Sequence, residues 1–345
     1  MKKYLKKLMA VVLVMAIFAG SGVLSNAQQT EKQIIRIGHN QSQQHPTHIA
    51  LMAFKKYVES KLGDKYDIEV YPSELLGSQV DMVQLTQTGA INYCIASNSI
   101  LETFSKDYEI FNLPFLFASP EAYHHVMDDK SITNIIFNST NRAGFRGITW
   151  IDAGTRNFYT INKPINSPKD LRGLKIRVQQ SPTNIKMMSL LGGSATPMGF
   201  GEVYTALQSH IIDGAENNEM ALTSNGHGDV CKYYSYDMHQ MVPDILIGNI
   251  KFIEKMPKSD RKVFEEGYKI INQVERREWV KAVKKAKEKA ANDMHVKFIY
   301  PDRVPFQKAC EPLHNDVLKN NTGLKKIYEK IQKYNKEYPA KKEVK

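Results

Sequence analysis

Cysteine is scarce in this chain, and its distribution excludes the common metal and redox motifs. The 345 residues include only three cysteines. Their spacing matches neither a zinc-ligand set nor a Cys-x-x-Cys redox pair. An oxidising compartment would allow one disulfide, but the odd number leaves at least one thiol over. Because free cysteines are mostly buried in proteins, we expect buried thiols at Cys94, Cys231 and Cys310.

Long apolar runs are also missing, except at the N-terminus. Four lysines among the first seven residues precede an apolar run over residues 8–19, and small residues follow at 25–27. This order is typical of a secretory signal peptide, which we assign to residues 1–27. The apolar run is too short for a membrane span. Since no cysteine lies near the cleavage site, we expect no lipid anchor.

Nucleic-acid-binding motifs are absent, although the net charge is +11. Cleavage after residue 27 would remove four lysines and no acidic residue, which lowers the net charge to +7. Residues 319–345 carry nine lysines and three glutamates, so the rest of the mature chain is close to neutral. This tail predicts a solvated helix face with a frayed end. We therefore expect no nucleic acid partner.

The usual catalytic and metal-binding signatures are missing as well. The chain contains no G-x-S-x-G, no H-E-x-x-H and no convincing carboxylate pair for glycoside hydrolysis. Histidines cluster at His39, His45 and His48 and again at His124 and His125, but no cysteine or acidic partner follows at ligand spacing. We therefore expect no metal, no cofactor and no enzymatic activity.

A short alternating stretch places an arginine where α/β proteins bind ligands. Apolar and polar residues alternate from Leu174 to Gln179, which predicts a strand with one apolar face. Ser181 can cap a following helix, and Pro182 suits its first turn. Arg177 thus lies near the C-terminal end of a strand, where open α/β sheets present ligand groups. Its planar guanidinium suits a carboxylate; the alternative is a solvated or salt-bridged surface arginine.

The N-terminal third of the mature chain alternates strands with helices, an order that predicts a parallel sheet. Asn40 follows the first strand, and Ser97 and Asn98 follow the third. Because the ends of parallel strands meet at one edge, these three residues are candidates to bind a polar ligand. The alternative is that such residues simply favour loops. The predicted elements are strands at 34–38, 66–71 and 91–96 and helices at 46–60 and 78–87.

Four sequence blocks follow one another around Arg177, between residues 168 and 217. They read P-x-D-L-x-G-L-K-I-R-V, L-G-G-x-x-T-P-M, E-V-Y-x-A-L-Q and I-D-G-A-E-N, and Y-P-S-E-L-L-G-S and F-x-L-P-F-L-F lie upstream. These blocks resemble the solute-binding proteins (DctP type) of tripartite ATP-independent periplasmic (TRAP) transporters. The resemblance implies an α/β, two-lobed periplasmic-binding-protein fold in which each lobe is a sheet flanked by helices.

The resemblance also implies a hinge between two discontinuous lobes and a long connecting helix. Lobe I would comprise residues 28–153 and 243–282, and lobe II residues 154–242 and 283–345. Residues 268–295 contain neither glycine nor proline and repeat apolar side chains at helical spacing. At about 1.5 Å per residue, a helix over this stretch would exceed roughly 40 Å, which is long enough to connect two lobes.

Family positions carry over to several residues of this chain. By resemblance, Arg177 would hold the ligand carboxylate, and the amide of Asn217 would bind other polar groups of the ligand. Arg156 matches a second family arginine, which either adds charge to the site or braces the closed form through a salt bridge. Gln179 and Asn218, next to these positions, are candidate ligand contacts too.

Phe200 and His239 each have two interpretations. Phe200 either lines the cleft and stacks on a sugar or belongs to the core, and His239 either contacts the ligand or closes a strand. His239 belongs to a run between residues 216 and 243 that reads E-N-N, then S-x-x-H-x-x-V-x-K-Y-Y-S-x-x-x-H-x-x-x-P. This run resembles the branch that binds hexuronates such as glucuronate and galacturonate. Binders of sialic acid and C4-dicarboxylates share the arginine and asparagine but usually differ here.

The resemblance therefore predicts a periplasmic, monomeric protein that binds a sugar acid between its lobes. It would deliver this small molecule to the small and large permease subunits in the membrane. Two alternatives stay open at this point. The ligand could be another organic acid, namely a C4-dicarboxylate, sialic acid or aldonate, or the protein could be a secreted enzyme that acts on acidic sugars.

Overall fold

Two β-sheets, of five and six strands, carry the fold of residues 31–340. The computed structural model describes these residues, so the predicted signal peptide at 1–27 lies outside the described residues. No helix between residues 31 and 340 combines the length and apolar character that a membrane crossing requires. The strands are β1 (Gln33–Gly38), β2 (Tyr66–Tyr71), β3 (Tyr93–Ser97), β4 (Phe145–Ile151), β5 (Arg156–Thr160), β6 (Lys175–Val178), β7 (Ser194–Pro197), β8 (Gly214–Asn217), β9 (Tyr233–Gln240), β10 (Asp244–Asn249) and β11 (Lys297–Ile299).

Helices flank both sheets, which confirms the predicted α/β class. Short 3₁₀ helices occur at Lys106–Asn112, Asn141–Ala143, Pro168–Leu171 and Phe200–Glu202. The α-helices are α1 (Pro46–Leu62), α2 (Gln79–Thr88), α3 (Asn98–Leu101), α4 (Pro120–Asp128), α5 (Lys130–Phe137), α6 (Pro182–Leu190), α7 (Val203–Gln208), α8 (Met220–Ser224), α9 (His227–Val230), α10 (Ile250–Lys255), α11 (Lys258–Asn292), α12 (Val304–Asn320) and α13 (Thr322–Glu337).

The first sheet has the order β2-β1-β3-β10-β4. β1 pairs in parallel with β2 and β3, as the βαβ pattern predicts. β10 is different, because it pairs antiparallel with both β3 and β4. The first residue of β10, Asp244, lies opposite Ser97 at the end of β3. An antiparallel strand therefore begins at the same sheet edge where the parallel strands end.

The second sheet has the order β11-β9-β5-β8-β6-β7. β6 pairs in parallel with β7 and β8, whereas β5 pairs antiparallel with β8 and β9. Asn157 on β5 lies opposite Asn217 at the end of β8. Arg156 at the start of β5 and Arg177 near the end of β6 consequently share one edge with Asn217.

The chain passes between the two sheets three times. Residues 152–155 connect β4 to β5, residues 241–243 connect β9 to β10, and α11 packs along α1 and β4 and also on α8. The 35 residues of α11 span roughly 50 Å. This helix begins before residue 268, where the sequence predicts its start, because Gly267 does not interrupt it. A Cβ at Gly267 would lie 2.7 Å from the Phe54 ring on α1, so the glycine allows the two helices to pack closely.

The hydrophobic core consists of several clusters, one of which joins the two sheets. This cluster contains Ile245 of β10 together with Ile176 of β6. Of the terminal helices, α12 packs on α6 and β9, whereas α13 packs on α4 and the 3₁₀ helix Lys106–Asn112. The lobe boundaries given above remain predictions. As expected, Cys94, Cys231 and Cys310 are buried and free.

The first crossing segment contains a glycine that no other residue can replace without strain. Gly154 has a φ of +64°, and an added Cβ would lie 2.8 Å from the Trp279 ring on α11. We expect Gly154→Ala to lower the free energy of unfolding by about 2–4 kcal/mol, since both the left-handed backbone and the overlap are unfavourable. Gly173→Ala is the matched control, because Gly173 has a φ of +77° but a Cβ added there would have no contact within 4 Å from the described residues beyond its chain neighbours. This variant should cost only about 1 kcal/mol. Urea denaturation measures both variants, and equal losses would contradict the role of the Trp279 contact.

Candidate ligand-binding site

A polar cavity lies between the two sheets, at the edges where their strands meet. Its free volume is small, about 30 Å³. Seven of the ten predicted site residues line it. The residues that line this cavity are Asn40, Gln41, Gln79, Ala153 and Asp244 from the first sheet and its loops, and Arg156, Arg177, Gln179, Phe200, Asn217 and Asn218 from the second.

Arg177 brings an uncompensated positive charge to this cavity. Its side chain is only 3% exposed. Nε and Nη2 donate to the backbone oxygen of Met198 at 3.2 and 2.8 Å, and within residues 31–340 no acceptor faces Nη1. The guanidinium also lies 5.6 Å from the centre of the Phe200 ring. Burial lowers the pKa of Arg177, although nearby Glu216 opposes this shift. A buried guanidinium with free donors is suited to bind an anionic ligand group.

Arg156, in contrast, already hydrogen-bonds other residues of the protein through all three of its guanidinium nitrogens. Its Nε donates to the Glu216 carboxylate at 2.5 Å, Nη2 to the Glu216 backbone oxygen at 2.8 Å, and Nη1 to Oδ1 of Asn217 at 3.2 Å. Burial would raise the pKa of Glu216, but Arg156 and then His239 outweigh it and lower this pKa to about 2. Of the two interpretations of Arg156, this geometry matches the brace.

His239 lies behind the cavity and does not line it. Its Nδ1 is 2.8 Å from the Asp237 carboxylate, its Nε2 is 3.5 Å from the Glu216 carboxylate, and its ring stacks on Phe158. Burial would lower the pKa of His239, but the two carboxylates raise it to about 9. His239 therefore supports the Glu216–Arg156 pair, and its placement matches the structural interpretation, not the ligand contact.

Ser97 and Asn98 also lie outside the cavity lining. The Asn98 amide donates to the backbone oxygen of Tyr108 and to Asn112, both at 2.8 Å. The backbone N–H of Ser97 donates to Oε1 of Gln79 at 2.6 Å. Ser97 and Asn98 do not line the cavity because α3 begins at Asn98 and directs the chain towards the protein interior. Gln79 on α2 lines the cavity in their place.

The amides around Arg177 divide into fixed and available groups. Asn218 is fixed, because its amide donates to the Ala153 oxygen and accepts from the Met220 N–H, both at 3.0 Å. Asn217 accepts from Arg156 and from the Asn218 N–H, which leaves its Nδ2 donors for a ligand. In the described part of the chain, Oε1 of Gln179 is buried without a partner. The side chain of Asn40 also makes no hydrogen bond within the described part of the chain. The amides of Gln179 and Asn40 are therefore both available to bind a ligand.

A carboxylate outside the cavity lining connects the two sides of the molecule. Glu74, in the left-handed conformation at φ +58°, accepts from the backbone N–H of Gly201 at 3.1 Å. Burial raises the pKa of Glu74, and this hydrogen bond opposes the shift. Glu74 follows β2, whereas Gly201 follows β7, so the bond connects segments that follow strands of the two different sheets.

We expect Glu74→Ala to weaken ligand binding by less than about tenfold, since one hydrogen bond between the two sides is lost. Small-angle scattering of the unliganded variant should show a larger radius of gyration. Glu74→Gln is the control, because its amide oxygen can still accept from Gly201. An Ala variant with wild-type affinity and dimensions would contradict the role of this contact.

The histidine clusters have structural partners. His39 Nε2 lies 3.0 Å from His48 Nδ1, His45 caps α1 through the Thr47 N–H, and His124 pairs with Asp152 at 2.7 Å. Burial lowers the pKa of both His39 and His45 to about 3. From residue 31 to residue 340, no three histidine, cysteine or acidic side chains are grouped so that they could hold a metal ion.

The two helix-flanked sheets and the polar cavity between them define a two-lobed solute-binding protein. Residues 37–321 match the family described as bacterial extracellular solute-binding protein, family 7. The chain therefore belongs to this family, as the sequence blocks predict.

Individual relatives agree with this assignment. An uncharacterized protein of Salmonella typhimurium, YiiZ, is 40% identical over 299 residues, which cover 87% of this chain and 91% of the relative. A TRAP periplasmic solute-binding protein from Anaerococcus prevotii, solved with bound α/β-D-glucuronate, is 70% identical with a TM-score of 0.89 and covers 90% of this chain and 100% of its own. A TRAP protein from Xanthobacter autotrophicus with bound β-D-galacturonate is 31% identical with a TM-score of 0.82, over 86% and 98% of the two chains. The predicted resemblance to hexuronate-binding TRAP proteins is thus confirmed.

Proposed function

We propose that this protein binds D-glucuronate or D-galacturonate in the cavity between its sheets. The observation that carries the proposal is the buried Arg177 guanidinium, whose Nη1 meets no acceptor in the described chain. A ligand carboxylate would supply the missing acceptors and the missing negative charge. Solved relatives with bound glucuronate and galacturonate support this ligand class.

The surrounding residues have distinct roles in this proposal. Arg177 binds the carboxylate, and Phe200 supports the guanidinium and borders the sugar. Asn217, Asn40 and Gln179 bind hydroxyl groups. Arg156 and Asn218 position Asn217 and the crossing segment, and they do not hold the ligand directly.

The protein would act as the extracytoplasmic, periplasmic component of a TRAP transporter. The lobes, with the boundaries given under Sequence analysis, close on the ligand, and the loaded monomer delivers it to the small and large permease subunits. The protein performs no chemical reaction on the ligand. Family membership supports this assignment, and it agrees with the absence of catalytic motifs from the sequence.

Isothermal titration calorimetry of the protein without residues 1–27 tests the ligand class. D-Glucuronate and D-galacturonate should bind with micromolar or tighter affinity, whereas succinate and N-acetylneuraminate should bind far more weakly. Preferred binding of either comparison acid would overturn the proposal. Incubation of the protein with the uronates, followed by mass spectrometry, should recover them unchanged.

A further inference from the structure

One carboxylate in this cavity is left unpaired by the other described residues. Asp244 is 9% exposed and lines the cavity at the start of β10. No hydrogen bond or ion pair reaches its side chain from any residue between 31 and 340. A buried carboxylate without partners is unfavourable, so its presence in a binding cavity points to a partner that arrives with the ligand.

The charged groups around Asp244 do not supply this partner. Arg156 attracts it from β5, but each of the three Arg156 nitrogens already donates to Glu216 or Asn217, and none donates to Asp244 in the described chain. Asp152, after β4, and Glu275, on α11, add further acidic groups. Burial raises the pKa of Asp244 to about 6; Arg156 opposes this rise, and Asp152 adds to it.

The cavity is therefore polarised between its two sides. Arg177, from the second sheet, offers free donors and a positive charge, whereas Asp244, from the first sheet, offers free acceptors and a negative charge. A ligand that fits both must carry a carboxylate on one side and hydrogen-bond donors on the other. A sugar acid with a single carboxylate meets this requirement, because its hydroxyls can donate to Asp244. A diacid would place its second carboxylate in the negative half of the cavity.

We propose that Asp244 determines specificity, in that it accepts hydrogen bonds from ligand hydroxyls and excludes diacids of similar size. This inference rests on the proposed function, since it assumes a sugar acid held by Arg177. It adds a selection rule that Arg177 alone cannot provide, because a lone guanidinium binds the carboxylate of a monoacid and of a diacid alike.

Calorimetry with D-glucuronate and its diacid counterpart D-glucarate tests this rule on the wild type and on Asp244→Asn. The variant should bind glucuronate about 10- to 100-fold more weakly, because charged hydrogen bonds are replaced by neutral ones. Its affinity for glucarate should stay the same or rise, so the preference for the monoacid falls. The two ligands differ in shape, but this difference affects both proteins equally. Asp64→Asn, at an exposed position between α1 and β2, is the control.

The pH dependence provides a readout that does not require the variant to fold well. Hydroxyl donors favour the charged form of Asp244, so wild-type affinity for glucuronate should fall by up to roughly tenfold from pH 7 to pH 5. Asp244→Asn should lack this fall. If the wild type binds glucuronate but binds glucarate equally well, or keeps its affinity at pH 5, the role of Asp244 is wrong while the proposed function stands. If the wild type binds neither uronate, the proposed function itself fails.

Discussion

Replacement of Arg177 by alanine should weaken uronate binding by at least about 100-fold. The ligand carboxylate would then be buried in the closed cavity without a cation, and a buried unpaired charge typically costs several kcal/mol. Arg177→Lys should be nearly as damaging, because the lysine ammonium lacks the planar fork of donors. The guanidinium can use this fork to bond the Met198 oxygen and a ligand carboxylate at the same time. Titration calorimetry with D-glucuronate measures both variants.

The control for this prediction is Arg172→Ala. Arg172 lies exposed just before β6, so its loss changes the net charge equally but leaves the cavity intact. We expect its affinity to stay within about twofold of the wild type, since exposed charges contribute little. Wild-type affinity in either Arg177 variant would contradict the assigned contact.

Replacement of Glu216 by glutamine should give the largest loss of stability among these variants. Glu216 is fully buried between Arg156 and His239, and its charge compensates both. The loss of one member of a buried ion pair costs about 3–5 kcal/mol, because the remaining charge stays buried. Urea denaturation should therefore show a lower midpoint for Glu216→Gln, whereas Glu288→Gln, exposed on α11, should leave it unchanged. A midpoint equal to the wild type would rule out this network as a structural brace.

The pH profile of stability provides a second readout of the same network. The pKa of His239 is raised from 6.5 to about 9, so its contribution is complete below pH 6.5 and is lost as the pH rises through 9. The pKa of Glu216 is lowered from 4.5 to about 2, so its contribution is complete above pH 4.5 and is lost as the pH falls through 2. In Glu216→Gln, the alkaline loss should be smaller, because one of the two carboxylates that raise the His239 pKa is gone.

Local patterns in the sequence predict much of this fold. The alternation around Arg177 and the cap at Ser181 identify β6 and α6, because each pattern is complete within a few residues. The parallel pairing of β1 with β2 and β3 follows from the βαβ order. The start of α11 is missed, because a glycine inside a helix and a glycine after a helix look the same until the packing partner, Phe54, is known.

The candidate site is only partly predictable, for a different reason. Arg177 and Asn217 lie in recognisable blocks, but Asp244 follows a proline in a segment with no signal of its own. Its place in the cavity depends on β10 entering the first sheet antiparallel to β3, which is a long-range feature. Asn98 and His239 show the opposite error, because the sequence predicts them as site residues but neither lines the cavity. Their hydrogen bonds and ion pairs are made with other residues of the protein.

A crystal structure of the protein with D-glucuronate is the most direct test of the central claim. We predict that the ligand carboxylate lies within hydrogen-bonding distance of Nη1 of Arg177, with at least one ligand hydroxyl on the Asp244 carboxylate. A ligand bound elsewhere, or held in this cavity with its carboxylate away from Arg177, would contradict the account.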